Sequence, residues 1–178
     1  MAACRCGREA VAPDRRRFLG WAALGGAALL VGGGRAWGAA KAPYLLLNCI
    51  DYRLAAATTH YMAGRGLERQ YDQIVLAGAS IGIATDREPA WATTFWQHVD
   101  IARKLHGIQH LVILEHRDCG AYAVLLGEDF AKNPAAETRI HAQMAGKLAA
   151  LMKQRHPELT TEAFLMNLHG KVERLPSA

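Results

Sequence analysis

Three short apolar runs constrain this chain most: residues 44–49 (YLLLNC), 72–77 (DQIVLA) and 109–115 (QHLVILE). None shows the strict apolar–polar alternation of a strand with one wet face, so each reads as a strand covered on both sides. Helical stretches separate them: 54–63 after the first run, 88–106 after the second and 119–126 after the third. Pro89 suits a first helical turn, and Gly107 stands where a helix ends in a left-handed cap. A longer helix over 137–155 places Ile140, Met144, Leu148 and Leu151 on one face and stops at His156-Pro157. Residues 162–168 and 171–175 then flank a bend at His169-Gly170, near a last strand. This alternation specifies an α/β fold, a parallel-sheet core with helices on both faces.

The first 40 residues read differently. Arg15-Arg16-Arg17-Phe18-Leu19 precedes an uncharged stretch rich in Ala, Gly and Leu over 20–34, and small residues follow at Gly38-Ala39-Ala40. That is the charged, apolar and small-residue order of an export signal. Paired arginines before Phe-Leu, followed by a weakly apolar stretch, favour the twin-arginine route over an ordinary secretory signal. The stretch is shorter than the roughly 20 apolar residues of a membrane-spanning helix. The expectation is a signal peptide over 1–40, removed after Ala40, and a domain over 41–178 with no stable membrane insertion, located in the periplasm.

This division decides what charge and cysteine content mean. The chain carries 21 Lys+Arg against 16 Asp+Glu, but residues 1–40 hold six of the basic residues and two of the acidic ones, leaving 15 against 14. The domain therefore offers no basic surface for nucleic acid. Cys4 and Cys6 leave with the signal, so Cys49 and Cys119 remain. In an oxidising compartment, two lone cysteines read first as a disulfide.

Their surroundings offer another reading. In parallel sheets, ligands collect at the carboxyl ends of the strands. Cys49-Ile50-Asp51-Tyr52-Arg53 follows the first strand and His116-Arg117-Asp118-Cys119-Gly120 the third. The imidazole and thiolate of a His-x-x-Cys turn can reach one point, and Cys49 can join them where the two strands are neighbours. Three N and S ligands with a fourth position free is the pattern of a catalytic zinc site. Alternate residues of extended chain share a side, so Asp51 and Arg53 can accompany Cys49, the arginine holding the carboxylate in a two-pronged hydrogen bond. The plainer alternative makes Asp51 a helix cap and Arg53 a solvated surface residue.

Cys-x-Asp-x-Arg, then His-x-x-Cys-Gly some 65 residues later, resembles the β-class carbonic anhydrases. The likeness spans most of residues 41–178 and includes the closing Leu168-His169-Gly170-Lys171-Val172. The resemblance implies a β-carbonic anhydrase-like fold and one zinc ion per subunit on Cys49, His116 and Cys119. It implies hydroxide attack on carbon dioxide to give bicarbonate, with Asp51 and Arg53 as catalytic residues. Asp51, held by Arg53, orients the hydroxide or moves onto the metal as a fourth ligand in a closed state. It also implies a homodimer or higher homo-oligomer.

The family commonly has Arg-Asn-Ala-Gly before the long helix. Here the stretch is Val75-Leu76-Ala77-Gly78-Ala79-Ser80. That departure sets an alternative beside the enzyme: a non-catalytic or divergent zinc-binding protein acting on another small molecule or on none. Glu137 and His141, four apart on one helix, could ligate a second metal but read better as a solvated pair. Trp91, Phe95 and Trp96 read as core or subunit interface.

Overall fold

The structure, a computed structural model, describes residues 41–176. The expected signal peptide and its cleavage point lie outside the described residues. In chain order come β1 (Tyr44–Asn48), a 3-10 turn (Tyr52–Leu54), α1 (Ala55–Gly64), β2 (Tyr71–Val75), α2 (Ile81–Ala84) and α3 (Pro89–His106). Then follow β3 (His110–His116), α4 (Gly120–Leu126), a second 3-10 turn (Phe130–Lys132), α5 (Pro134–Arg155), β4 (Thr160–Met166) and β5 (Val172–Arg174).

The strands form one sheet in the order β2-β1-β3-β4-β5, and the first four of that order run parallel. Side chains alternate between the faces of a strand, and the two faces are buried by different helices. Leu45, Leu47, Leu111, Ile113 and Leu165 pack with Phe95, Val99 and Ala102 of α3 and with Ala145, Leu148 and Met152 of α5. Leu46, Val112, Leu114 and Met166 pack on the other face with Leu54 and with Met62 of α1. The runs of β1 and β3 thus become strands covered twice, whereas β2, expected to be covered on both sides, is an edge strand with Gln73 and Val75 exposed. Phe95 is fully buried between sheet and helices, and Phe95→Ala is expected to destabilise the domain by about 3–5 kcal/mol, measured by urea unfolding.

Two further expectations, both about the long helix, need correction, and the last strand adds a reversal. The last strand is antiparallel: β5 pairs with β4 through Leu165↔Glu173 and Met166↔Val172. A tight turn makes the reversal, with Asn167 Oδ1 accepting from the His169 and Lys171 N–H groups and Gly170 at φ 80°. The long helix begins at Pro134, not at 137, because the Asn133 side chain caps it by accepting from the Ala136 N–H at 3.1 Å. Its inward stripe runs through Glu137, His141, Met144, Leu148 and Met152, while Leu151, off this stripe, is 38% exposed. Among the described residues no helix is long and apolar enough to cross a membrane.

Candidate metal centre

The chain leaves β1 toward β2 on one side of the sheet and returns to β3 on the other. The two strands that part company at this point are neighbours, in register at Leu47↔Ile113 and Asn48↔Leu114. A crevice opens past the carboxyl ends of such strands. Cys49 directly follows β1, His116 is the last residue of β3, and Cys119 stands immediately before α4.

The ligating atoms of Cys49, His116 and Cys119 all lie within 4.8 Å of one another. Both thiols are free, with their sulfurs 3.9 Å apart, so the disulfide alternative is not what the structure shows. Two thiolates on one tetrahedral zinc, each about 2.3 Å from the ion, stand roughly 3.8 Å apart. His116 is buried, and its Nδ1 lies 2.8 Å from the Arg117 carbonyl oxygen. That oxygen can only accept, so Nδ1 carries the proton and Nε2 the lone pair. Nε2 is buried without a hydrogen-bond partner. An orphaned imidazole nitrogen beside two sulfurs fits a metal ion.

Electrostatics within the cluster point the same way. A hydrogen bond from the Cys119 thiol pulls the Cys49 pKa down to about 4 against the opposing effect of burial, with His116 and the Gly78 N–H assisting. The same hydrogen bond, together with burial, pushes the Cys119 thiol far up. Burial opposes charge on His116, but the Cys49 thiolate more than compensates and raises its pKa. The two sulfurs lie in hydrogen-bond contact at 3.9 Å, and a cation between them would satisfy both.

Asp51 is a cap and is also clamped by Arg53. Asp51 caps the 3-10 turn, its Oδ1 accepting from the Arg53 N–H at 3.0 Å. The Arg53 guanidinium also grips the carboxylate, Nε at 3.0 Å from Oδ1 and Nη2 at 2.6 Å from Oδ2. These hydrogen bonds hold the Asp51 pKa below the usual carboxylate range. Its Oδ2 lies 3.8 Å from His116 Nε2, so the carboxylate faces the ligand cluster while remaining in the arginine's fork.

Sequence reasoning missed several partners. Arg53 also donates from Nη1 to Asp118 Oδ2 at 2.7 Å and from Nη2 to the Asp118 carbonyl at 2.8 Å, tying the loop after β1 to the loop after β3. Asp118 sits at φ 57°, and its N–H donates to Glu137 Oε1 at 2.6 Å. Glu137 Oε2 accepts from Arg117 Nη1 at 2.9 Å. Glu137 and His141 are therefore no solvated pair: they are 3% and 1% exposed. The helical period joining 137 and 141 to the apolar positions 144, 148 and 152 was the signal that placed them inward.

An open cleft of about 770 Å³ leads to the cluster. Cys49, Asp51, Arg53 and Cys119 lie at its base, and Ala77, Trp91, Ala121 and Leu125 supply apolar wall. Trp91 is held by close packing on Gly82, where a Cβ would run into the indole.

A family described as "Putative carbonic anhydrase" matches residues 40–172. The chain belongs to that family. An uncharacterized protein of Rickettsia conorii is 36% identical over 135 residues, covering 76% of this chain and 73% of the relative. Among solved structures, a carbonic anhydrase of Streptococcus mutans superposes with TM-score 0.53 at 16% identity, covering 90% of this chain and 94% of its own. The β-carbonic anhydrase CafA of Aspergillus fumigatus gives 0.52 at 16% identity, covering 78% and 77%. At such identities the likeness establishes the fold: a β-carbonic anhydrase fold, with its Cys-His-Cys cluster placed to bind a metal.

Proposed function

We propose that this protein is a zinc-dependent hydratase that interconverts carbon dioxide and bicarbonate. The observation that carries the reading is the donor set: two sulfurs and a buried, unpartnered imidazole nitrogen, with the Asp51–Arg53 pair beside them. A zinc ion held there supplies the Lewis acidity that makes water nucleophilic near neutral pH. Cys49, His116 and Cys119 would hold the ion, with Cys49 and Cys119 lining the cleft. The Arg117 carbonyl fixes the tautomer of His116 that presents Nε2. Asp51 accepts the water's proton in a hydrogen bond and aims its lone pair, while Arg53 keeps the carboxylate ionised and turned inward. The apolar wall of Ala77, Trp91, Ala121 and Leu125 suits an uncharged substrate.

The division into a twin-arginine signal over 1–40 and a periplasmic zinc domain over 41–178 belongs to the same proposal, supported by the order of residues around Arg15-Arg16-Arg17 and Ala40. So does self-association. Ile50, Tyr52 and Val124, 63%, 87% and 82% exposed, border the cleft as an apolar rim that a second copy would cover. Val124→Glu is expected to shift the protein to monomers by light scattering; an unchanged mass would move the interface elsewhere.

Zinc per chain and stopped-flow hydration of carbon dioxide test the main reading. One zinc with hydration far above protein-free buffer is expected. Absence of zinc overturns it. Zinc without hydration selects the non-catalytic or divergent alternative, which draws on Val75-Leu76 standing where the family commonly has Arg-Asn.

A further inference from the structure

Glu115 directly precedes His116 on β3, so the two side chains turn to opposite faces of the sheet. Glu115 is 1% exposed. A carboxylate so buried is tolerated only where donors surround it. Its Oε1 accepts from the Ser80 N–H at 3.1 Å and from the Ser80 hydroxyl. Its Oε2 accepts from the Tyr122 hydroxyl and faces His141 Nδ1, each at 3.1 Å. The carboxylate thus joins β3 to α4, to α5 and to the turn after β2.

That turn is bent against its own preference. Gly78 and Ala79 are consecutive left-handed residues, at φ 67° and 48°. Ala79 is fully buried, and an alanine persists in this conformation only where its surroundings enforce it. A Cβ on Gly78 would meet Ile81 Cγ2 at 2.6 Å, so the backbone there has no slack. At the bend the Gly78 N–H donates to Cys49 Sγ at 3.2 Å. Glu115 holds the residue that follows, Ser80, at two points.

We infer that Glu115 is a positioning residue for the metal centre: through Ser80 and the left-handed turn it keeps the Gly78 N–H on the Cys49 sulfur. A hydrogen bond to a ligand sulfur draws density from its lone pairs, and outer partners of this kind set metal affinity and ligand strength. The inference rests on the zinc reading above. A carboxylate that merely completed the core would affect stability and leave the sulfur–metal bond unchanged.

Cobalt(II) loaded in place of zinc reports on that bond through its thiolate-to-metal charge-transfer absorption. Glu115→Gln and Ser80→Ala are expected to move the band to longer wavelength, as sulfur donation strengthens when the N–H withdraws. Zinc affinity by chelator competition is expected to fall roughly 10- to 100-fold for Glu115→Gln, because a Cys49 sulfur no longer held in place costs more than the stronger donation returns. Ser80→Ala removes only the hydroxyl link, and it decides the matter where Glu115→Gln does not fold. A wild-type band and wild-type zinc affinity in Ser80→Ala, or in a folded Glu115→Gln, overturn the inference while leaving the zinc centre intact. Wild-type protein that takes up neither cobalt nor zinc overturns the zinc reading itself, and this inference with it.

Discussion

Cys119→Ser leaves the fold standing and the centre without metal. Serine keeps the shape of a side chain that is 8% exposed at the start of α4, but a neutral hydroxyl is a poor substitute for a thiolate on zinc. Outer partners of metal ligands already cost 10- to 100-fold in affinity when removed, so losing a ligand is expected to weaken zinc by more than about 100-fold. Metal analysis after dialysis should find the variant empty, and stopped-flow hydration should fall to the rate of buffer alone. Far-ultraviolet circular dichroism should match the parent. A variant that keeps both zinc and rate would remove Cys119 from the donor set.

Asp51→Ala separates binding from turnover. Asp51 is outside the Cys-His-Cys group whose donor atoms lie within 4.8 Å of one another, and its carboxylate is engaged by Arg53. The variant should therefore retain one zinc per chain while hydration slows by roughly 10²- to 10⁴-fold, the usual contribution of a positioned proton acceptor. Arg53→Ala should do the same less severely and also change the acid limb. Arg53 depresses the Asp51 pKa, so the stability their pairing contributes is present above the unfolded carboxylate value of about 3.9 and is lost as pH falls through the lower folded value. Arg53→Ala lacks that contribution, so its stability should be lower above this range and should change less with pH through it, as measured by fluorescence in acid unfolding. Loss of zinc from Asp51→Ala would instead make the carboxylate a ligand.

The doubly buried strands were legible because their apolar runs do not alternate, and the strand-end position of both motifs followed from the parallel topology they imply. The donor triad was legible because its chemistry is local to two short motifs. The missing parts are those whose cause is tertiary. Glu137 and His141 look like an exposed pair to anyone counting polar residues, yet they occupy the helical stripe that faces the sheet and are satisfied by Asp118, Arg117 and Glu115. Glu115 ends an apolar run, and only the fold brings Ser80 and Tyr122 to it. The reversal at β5 depends on an Asn167 side chain closing a turn, which hydropathy does not register. Arg53 was read as a clamp on Asp51 alone; its second hold on Asp118 needs β1 and β3 side by side.

That adjacency has a consequence for how the chain matures. Cys49 and Cys119 are 70 positions apart, and their sulfurs meet only because β1 and β3 are zipped in register. An unfolded chain offers zinc scattered single donors, a folded one a finished claw. Mass action then ties occupancy to folding: zinc at 100 times its dissociation constant deepens the native well by about 2.7 kcal/mol. A chelator in turn acts as a conditional denaturant. On the zinc reading, a molecule that holds the ion on both sulfurs is one whose first and third strands have closed.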